Sequence, residues 1–205
     1  AAGRPEWRET LTYPAGDEQT AGNKVEWARG GPMNIKMGIG KHDITGPSAE
    51  IGFMGYWDFS QKGAGILSRL FSRAYVIEDL SNGRSVAVVC ADLGMCFQSV
   101  EQAVVKKLKA RYGGIYTEKN VLISGNHTHS GPGGYSHHLI YNGSMLGFHR
   151  QNFRCIVNGI FRSIVEAHEN KVEGTILIAK GDVEECGKNR SIKAYENNDE
   201  VKADP

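Results

Sequence analysis

Two histidines separated by a single residue are the strongest candidates for chemistry in this sequence. His127 and His129 lie in the glycine-rich run Gly125–Tyr135. In an extended chain, side chains at positions i and i+2 point to the same side, so both imidazoles can face one site. Neutral imidazole is the commonest protein ligand for zinc, and it also serves as a general base or a hydrogen-bond donor. The glycines and Pro132 permit a tight path and let a ligand approach the backbone closely.

The histidine pair by itself leaves several kinds of site open. The pattern H-x-H-x-D-H of the metallo-β-lactamase family is absent, because Ser130 and Gly131 follow the second histidine. Ser130 also lacks the G-x-S-x-G context of a serine hydrolase. Short histidine motifs are common in polar loops that bind no metal. The weaker candidates are His137 and His138 in the same long loop, His149 just after it, and His42 near the start of the chain.

Hydrophobic patterning predicts a β-hairpin and a further strand that lead to the histidines. Residues 72–78 and 85–91 are rich in β-branched side chains, and Asn82 and Gly83 between them form a strong turn signal. The short apolar run at residues 121–124 predicts a buried strand. The histidine loop therefore begins at the end of a strand.

Two helices are predicted around this loop. Apolar residues recur every four positions across residues 98–112, and Gly113 then ends the pattern. Residues 153–165 follow an i, i+3, i+4 pattern, which is the clearest helical signal in the chain. His168 fits the end of that helix, where the dipole favours a cation, and we interpret it as structural. Residues 175–179 predict a last strand.

The order of these elements predicts an α/β fold. Strand–helix–strand units favour parallel pairing, so we expect a mixed sheet with an attached β-hairpin. Ligand sites in such sheets gather beyond the carboxyl ends of parallel strands. Two such ends are predicted here, at residues 92–97 and in the long segment 125–147. A loop of that length in a compact domain is usually functional or disordered.

Composition argues against several kinds of partner and site. The 205 residues include 24 Lys and Arg against 23 Asp and Glu, a balance that gives no reason to expect nucleic acid. No stretch approaches the ~20 apolar residues that span a bilayer, and the N-terminus has no hydrophobic signal-peptide core. The four cysteines form no C-x-x-C pair, which argues against a cysteine zinc site. We interpret residues 1–32 as an N-terminal extension of unknown order and residues 33–205 as the folded domain.

Six separate motifs follow one another from residue 33 to the end of the chain. They are Gly38–Gly46, Phe53–Tyr56, Arg69–Ala74, Asp92–Met95, Leu122–Tyr135 and Asn189–Ser191. In this order and spacing they resemble the N-terminal part of the catalytic domain of neutral ceramidases. Trp57 departs from the pattern, because family members often have a small residue there. Ile192 also departs, because some members have proline at that position.

The resemblance implies a role for three residues. His127 would ligate zinc, His129 would hydrogen-bond near the scissile amide, and Arg190 would hold the head group or the developing oxyanion. The implied reaction is zinc-dependent hydrolysis of the amide bond of ceramide to a sphingoid base and a fatty acid. The family's other zinc ligands, a histidine, a glutamate and a tyrosine, would follow Pro205, as would its serine segment. The chain would then be an incomplete portion of a larger catalytic domain and inactive alone.

Partners and location follow from the same resemblance. Ceramide would be the lipid substrate, the remainder of the catalytic domain would be the protein partner, and the family's chemistry allows peripheral membrane contact. The family is mostly secreted, periplasmic or on the cell surface. Two alternatives stay open: a related zinc amidase that acts on another N-acyl lipid, and a truncated remnant without catalysis.

Overall fold

The computed structural model describes residues 26–28, 34–176, 178–180 and 187–203. The chain divides into two units. The larger is Pro32–Thr175, and the smaller combines Ala1–Gly31 with Ile176–Pro205. Within the described segments, no helix is long and apolar enough to cross a bilayer.

Two long helices and a five-stranded sheet form the larger unit, and short elements form the smaller one. In chain order the strands are β1 (Glu26–Ala28), β2 (Ile35–Asp43), β3 (Phe71–Asp79), β4 (Arg84–Ala91), β5 (Val121–Gly125), β6 (Val172–Gly174) and β7 (Ile178–Lys180). The α-helices are α1 (Gln98–Tyr112), α2 (Arg150–Glu169), α3 (Ile192–Tyr195) and α4 (Asp199–Ala203), with short 3₁₀ turns at Gly113–Ile115 and Leu139–Asn142.

The sheet of the larger unit is mixed. Its strand order is β5-β4-β3-β2-β6, and all neighbours are antiparallel except β4 and β5, which run parallel. The strand–helix–strand unit is β4–α1–β5, and β3 with β4 forms the attached hairpin. The predicted α/β class with a mixed sheet is therefore confirmed. In the smaller unit, β1 pairs antiparallel with β7.

The structure of the hairpin turn explains why the sequence predicts it so clearly. Gly83 has a positive φ of 67°, which glycine adopts without strain, and its N–H donates to the Asp79 carbonyl over 2.8 Å. The Asp79 carboxylate accepts hydrogen bonds from the Ser81 backbone N–H and hydroxyl and from the Asn82 amide. These bonds, those from Ser81 foremost, lower the pKa of Asp79. The turn thus satisfies its own polar groups.

Helix α1 makes the crossover between the two parallel strands. Its buried face consists of Val100, Val104, Val105 and Leu108. The helix ends where Gly113 takes a φ of 63° and donates its N–H to the Lys109 carbonyl. The predicted period and stop signal are both confirmed. The apolar face of α1 packs with α2 and one face of the sheet in a single core.

Helix α2 lies unusually close to strand β2. A Cβ on Gly38 would fall 1.8 Å from the Ala167 carbonyl oxygen, and one on Gly40 would fall 2.0 Å from that of Ser163. Only glycine lets a strand backbone and a helix backbone approach to this distance. The approach is fixed further by Asn170, whose side chain bonds both the N–H and the carbonyl of Ile39.

The face of the sheet that points away from the helices carries a row of apolar side chains. Ile39, Tyr75, Val88 and Leu122 are direct cross-strand neighbours on four strands. Ile39 is 54% exposed and Leu122 is 61% exposed. Arg73 shares this open face, because side chains two apart along a strand point the same way.

Four strands differ from the sequence-based expectation. Strand β2 was not predicted, since its glycines weaken the strand pattern while serving the contact with α2. The predicted strand at residues 175–179 is displaced: β6 ends at Gly174 and β7 begins at Ile178. Residues 26–28 of the predicted extension form strand β1, and the rest of that extension lies outside the described residues.

We predict that Gly40→Ala destabilises the chain, because its methyl group overlaps the Ser163 carbonyl and helix α2 must shift. Overpacking of this kind costs about 1–3 kcal/mol, which urea unfolding of the variant measures. Gly174→Ala is the matched control, since a Cβ there meets no atom within 4 Å. Equal stability of the two variants would contradict the close-packing argument.

His168 is held between two tyrosines near the end of α2. Its Nδ1 lies 2.7 Å from the Tyr116 hydroxyl, and its ring lies 4.4 Å from that of Tyr112. Burial, and then the charge of Lys171, lower the pKa of His168, although Glu78 opposes the shift. The expected structural role fits this packing, but burial disfavours the cation that the helix dipole would have stabilised.

We predict that His168 makes the stability of the chain fall in acid. Its folded-state pKa lies below the ~6.5 of an unfolded histidine, so the unfolded state takes up the proton first as pH drops. The contribution is present above about pH 6.5 and is lost as pH falls through and below that value. Urea unfolding across this range should show a weaker pH dependence in His168→Gln than in wild type. His138→Gln, at an exposed histidine, should keep the wild-type dependence, and identical curves for all three proteins would refute the assignment.

Candidate active site

The candidate site lies where the two parallel strands end side by side. The Asn126 N–H donates to the Ala91 carbonyl over 3.0 Å, and the His127 N–H donates to the Leu93 carbonyl over 3.0 Å. The segment after β4 and the histidine loop after β5 are thus joined by backbone hydrogen bonds. This is the edge of the sheet at which the sequence predicts a ligand site.

His127 is held by backbone on a sharp turn. Its φ is 64°, a left-handed conformation that is uncommon for a residue other than glycine. Its Nδ1 lies 2.7 Å from the Gly94 carbonyl oxygen. Because a carbonyl only accepts, the proton of the neutral ring sits on Nδ1, and the lone pair of Nε2 is left for a ligand.

His129 lies beside His127 and against a glycine. The two imidazole rings are 4.7 Å apart at 84° to each other, and Tyr56 makes a second edge-to-face contact with His129 at 5.4 Å. Gly55, with a φ of 97°, lies so close that a Cβ there would be 2.3 Å from the ring. The two rings meet as expected, but through the left-handed turn at His127 rather than through an extended chain.

A cleft of about 530 Å³ opens next to the two histidines. Its size lies within the usual range for ligand sites. The lining combines both imidazoles with mostly apolar groups, which are Met54, Gly55, Trp57, Met95, Ile140, Tyr141 and Ser144. The sequence alone pointed to the two strand ends, residues 92–97 with Met95 and residues 125–147 with the histidines. Trp57 comes from a distant part of the chain, and no local pattern marks it as a neighbour of the site.

The long loop is folded around a buried asparagine. The Asn142 side chain accepts from the Ser136 N–H and donates to the Ser136 carbonyl. Helix α2 anchors the same loop, because Asn152 donates to the carbonyls of Pro132 and Gly133. Met145, in the same loop, is buried.

The remaining histidines serve other contacts. His137 and His138 are exposed and stack on each other at 3.9 Å, and the Nε2 of His149 bonds the Met145 carbonyl. The Nδ1 of His42 lies 3.2 Å from the Asp43 carbonyl. Among the described residues, no three His, Cys, Asp or Glu side chains are grouped to hold a metal ion.

Among the described residues, His127 is suited to be one ligand of a zinc site. His127 has the tautomer and the backbone-bound Nδ1 that are typical of zinc ligands. His129 and the cleft lie next to it. Arg190 belongs to the smaller unit, where it is exposed in the turn before α3. Its role in the site remains a prediction.

Fold and site together define an α/β protein with a histidine pair at the mouth of an apolar cleft. Residues 35–204 match the family model described as neutral/alkaline non-lysosomal ceramidase, N-terminal. A neutral ceramidase from Pseudomonas aeruginosa is 44% identical over 174 residues, which is 85% of this chain and 26% of that protein. Neutral ceramidase 3 from Arabidopsis thaliana is 48% identical over 162 residues, 79% of this chain and 22% of that protein.

The likeness extends to solved structures. The crystal structure of neutral ceramidase from Pseudomonas aeruginosa superposes with a TM-score of 0.66 at 50% identity, covering 68% of this chain and 22% of that one. A structure described as ceramidase complexed with C2 gives the same values. The chain therefore belongs to the neutral/alkaline non-lysosomal ceramidase family and corresponds to its N-terminal region. It spans about a quarter of the length of these relatives.

Proposed function

We propose that this chain contributes to zinc-dependent hydrolysis of the amide bond of ceramide, with a sphingoid base and a fatty acid as products. The observation that carries the proposal is the histidine pair at an apolar cleft in a member of this family. Ceramide combines a polar amide and hydroxyl centre with two alkyl chains. The cleft offers the same combination, polar at His127 and His129 and apolar along Trp57, Ile140 and Tyr141.

His127 would hold the zinc ion through Nε2. The bond from its Nδ1 to Gly94 keeps the ring in one orientation, so little freedom is lost when the ligand binds. Zinc, when bound, supplies electrophilic help to a resonance-stabilised carbonyl and lowers the pKa of water to ~7. A catalytic zinc generally takes three protein ligands, so the other ligands would come from outside this sequence.

His129 and Arg190 would act on the substrate. No described residue hydrogen-bonds the ring nitrogens of His129, which faces the cleft and is thus able to donate to the amide or its hydroxyl neighbours. The guanidinium of Arg190 offers several donors in a fixed planar arrangement. Such donors stabilise an oxyanion most when they are already in place before it forms.

The setting of the reaction also belongs to this proposal. The enzyme would work in a secreted, periplasmic or cell-surface location, in peripheral contact with the membrane that holds its substrate. The remainder of the catalytic domain would cover the open sheet face, because an apolar row of this kind normally packs on another layer. We expect the chain alone to be inactive, since the part of the chain that the structure describes offers one zinc ligand of the usual three. Assays on ceramide and on other N-acyl lipids separate a ceramidase from a related amidase.

We predict that His127→Ala, in the enzyme that carries this chain, removes most of the bound zinc and the ceramide hydrolysis. Elemental analysis and release of a fluorescent fatty acid measure the two effects. His168→Gln is the control, because glutamine keeps a partner for the Tyr116 hydroxyl and lies outside the cleft. Full zinc content in the His127 variant would contradict the assignment of His127 as a zinc ligand.

We predict the opposite pattern for His129→Ala and Arg190→Ala. Each should keep near wild-type zinc and lose turnover by about 10²–10³, the usual effect of removing one donor to a transition state. Zinc content and kcat measured on the same preparations test this division. If either substitution strips the metal, that residue has been given the wrong role.

A further inference from the structure

A buried carboxylate lies directly behind the histidine turn. Asp92 follows the last residue of β4 and is buried. Its Oδ1 accepts from the Asn126 amide over 2.7 Å and from the Arg73 guanidinium over 2.8 Å. Its Oδ2 accepts from the Phe71 N–H over 2.8 Å, and its own N–H donates to the Phe71 carbonyl. The carboxylate is therefore fixed from three sides.

Asn126 connects the Asp92 carboxylate to the histidine turn. Its side-chain amide donates to Asp92, and its Oδ1 accepts from the Thr128 N–H over 3.2 Å. The side chain thus bridges from Asp92 across His127 to the residue after it. Because Asn126 also donates its backbone N–H to Ala91, both its ends are tied to the end of β4.

His127 needs such a support, because its conformation is costly. A left-handed φ in a residue other than glycine is strained and persists only where the surroundings determine it. Its ring tautomer is equally particular, since it depends on the Gly94 carbonyl staying 2.7 Å from Nδ1. Both features are lost if the turn relaxes away from the segment Asp92–Gly94.

We propose that Asp92, acting through Asn126, is a positioning residue that holds His127 in the left-handed conformation and the Nδ1–H tautomer. Nε2 is then presented to the cleft with its lone pair free. The proposal rests on the proposed function only in taking that lone pair as a metal ligand. The positioning itself is a property of the metal-free chain and is testable there.

The test is the tautomer of His127, read from imidazole ¹⁵N shifts of the labelled chain at a pH well above the ~6.5 pKa of an unperturbed histidine side chain. Wild type should show the Nδ1–H form. Asn126→Ala, which truncates the exposed member of the pair, should lose the predominance of that form, as should Asp92→Ala. If both variants keep it, the proposal is overturned.

One further variant separates positioning from general stability. Asp43→Asn is the matched control, because Asp43 binds Arg69 and the Thr45 N–H at the end of β2, away from the histidine turn. A tautomer change in Asp43→Asn as large as in Asn126→Ala would assign the effect to fold stability and overturn positioning. Loss of zinc binding or ceramide hydrolysis plays no part in this readout, so failure of the proposed function would be seen separately.

Discussion

The parallel pairing of β4 and β5 is the constraint on which the candidate site depends. Parallel neighbours cannot be joined by a tight turn, so the chain must leave the sheet, form α1 and return. The two strands consequently end at the same edge, and the segments that follow them are in hydrogen-bonding contact. His127 and Gly94 are 33 positions apart in the sequence and meet only for this reason. The buried face of α1 thus supports the geometry of the site as well as the core.

Helix α2 links the core to the cleft in a second way. Its C-terminal half packs on the glycines of β2, while Asn152 in its first turn holds the backbone of the long loop. The same helix therefore fills the interior and fixes one wall of the cleft. The Pro132 and Gly133 carbonyls of the loop thus find hydrogen-bond donors on a rigid element.

Local signals predicted much of the larger unit, and contacts between distant residues account for what they missed. The Asn82–Gly83 turn, the stop at Gly113 and the period of α2 are encoded by neighbouring residues, so they are readable in sequence. Strand β2 could not be predicted in this way, because its glycines are required by the contact with a helix more than 120 positions away. The histidine pair was likewise predictable from spacing, whereas the meeting of Trp57 with it depends on topology alone.

Arg73 belongs to two regions of the molecule at once. Its side chain shares the open apolar face with Tyr75, and its guanidinium ends on the carboxylate behind the histidine turn. Any layer that settles on the open face removes water from this ion pair, and charges attract more strongly where the local dielectric is low. Covering one side of the sheet would therefore stiffen the turn at its edge. If His127 binds a metal ion as proposed, covering of the open face and metal binding would be energetically coupled.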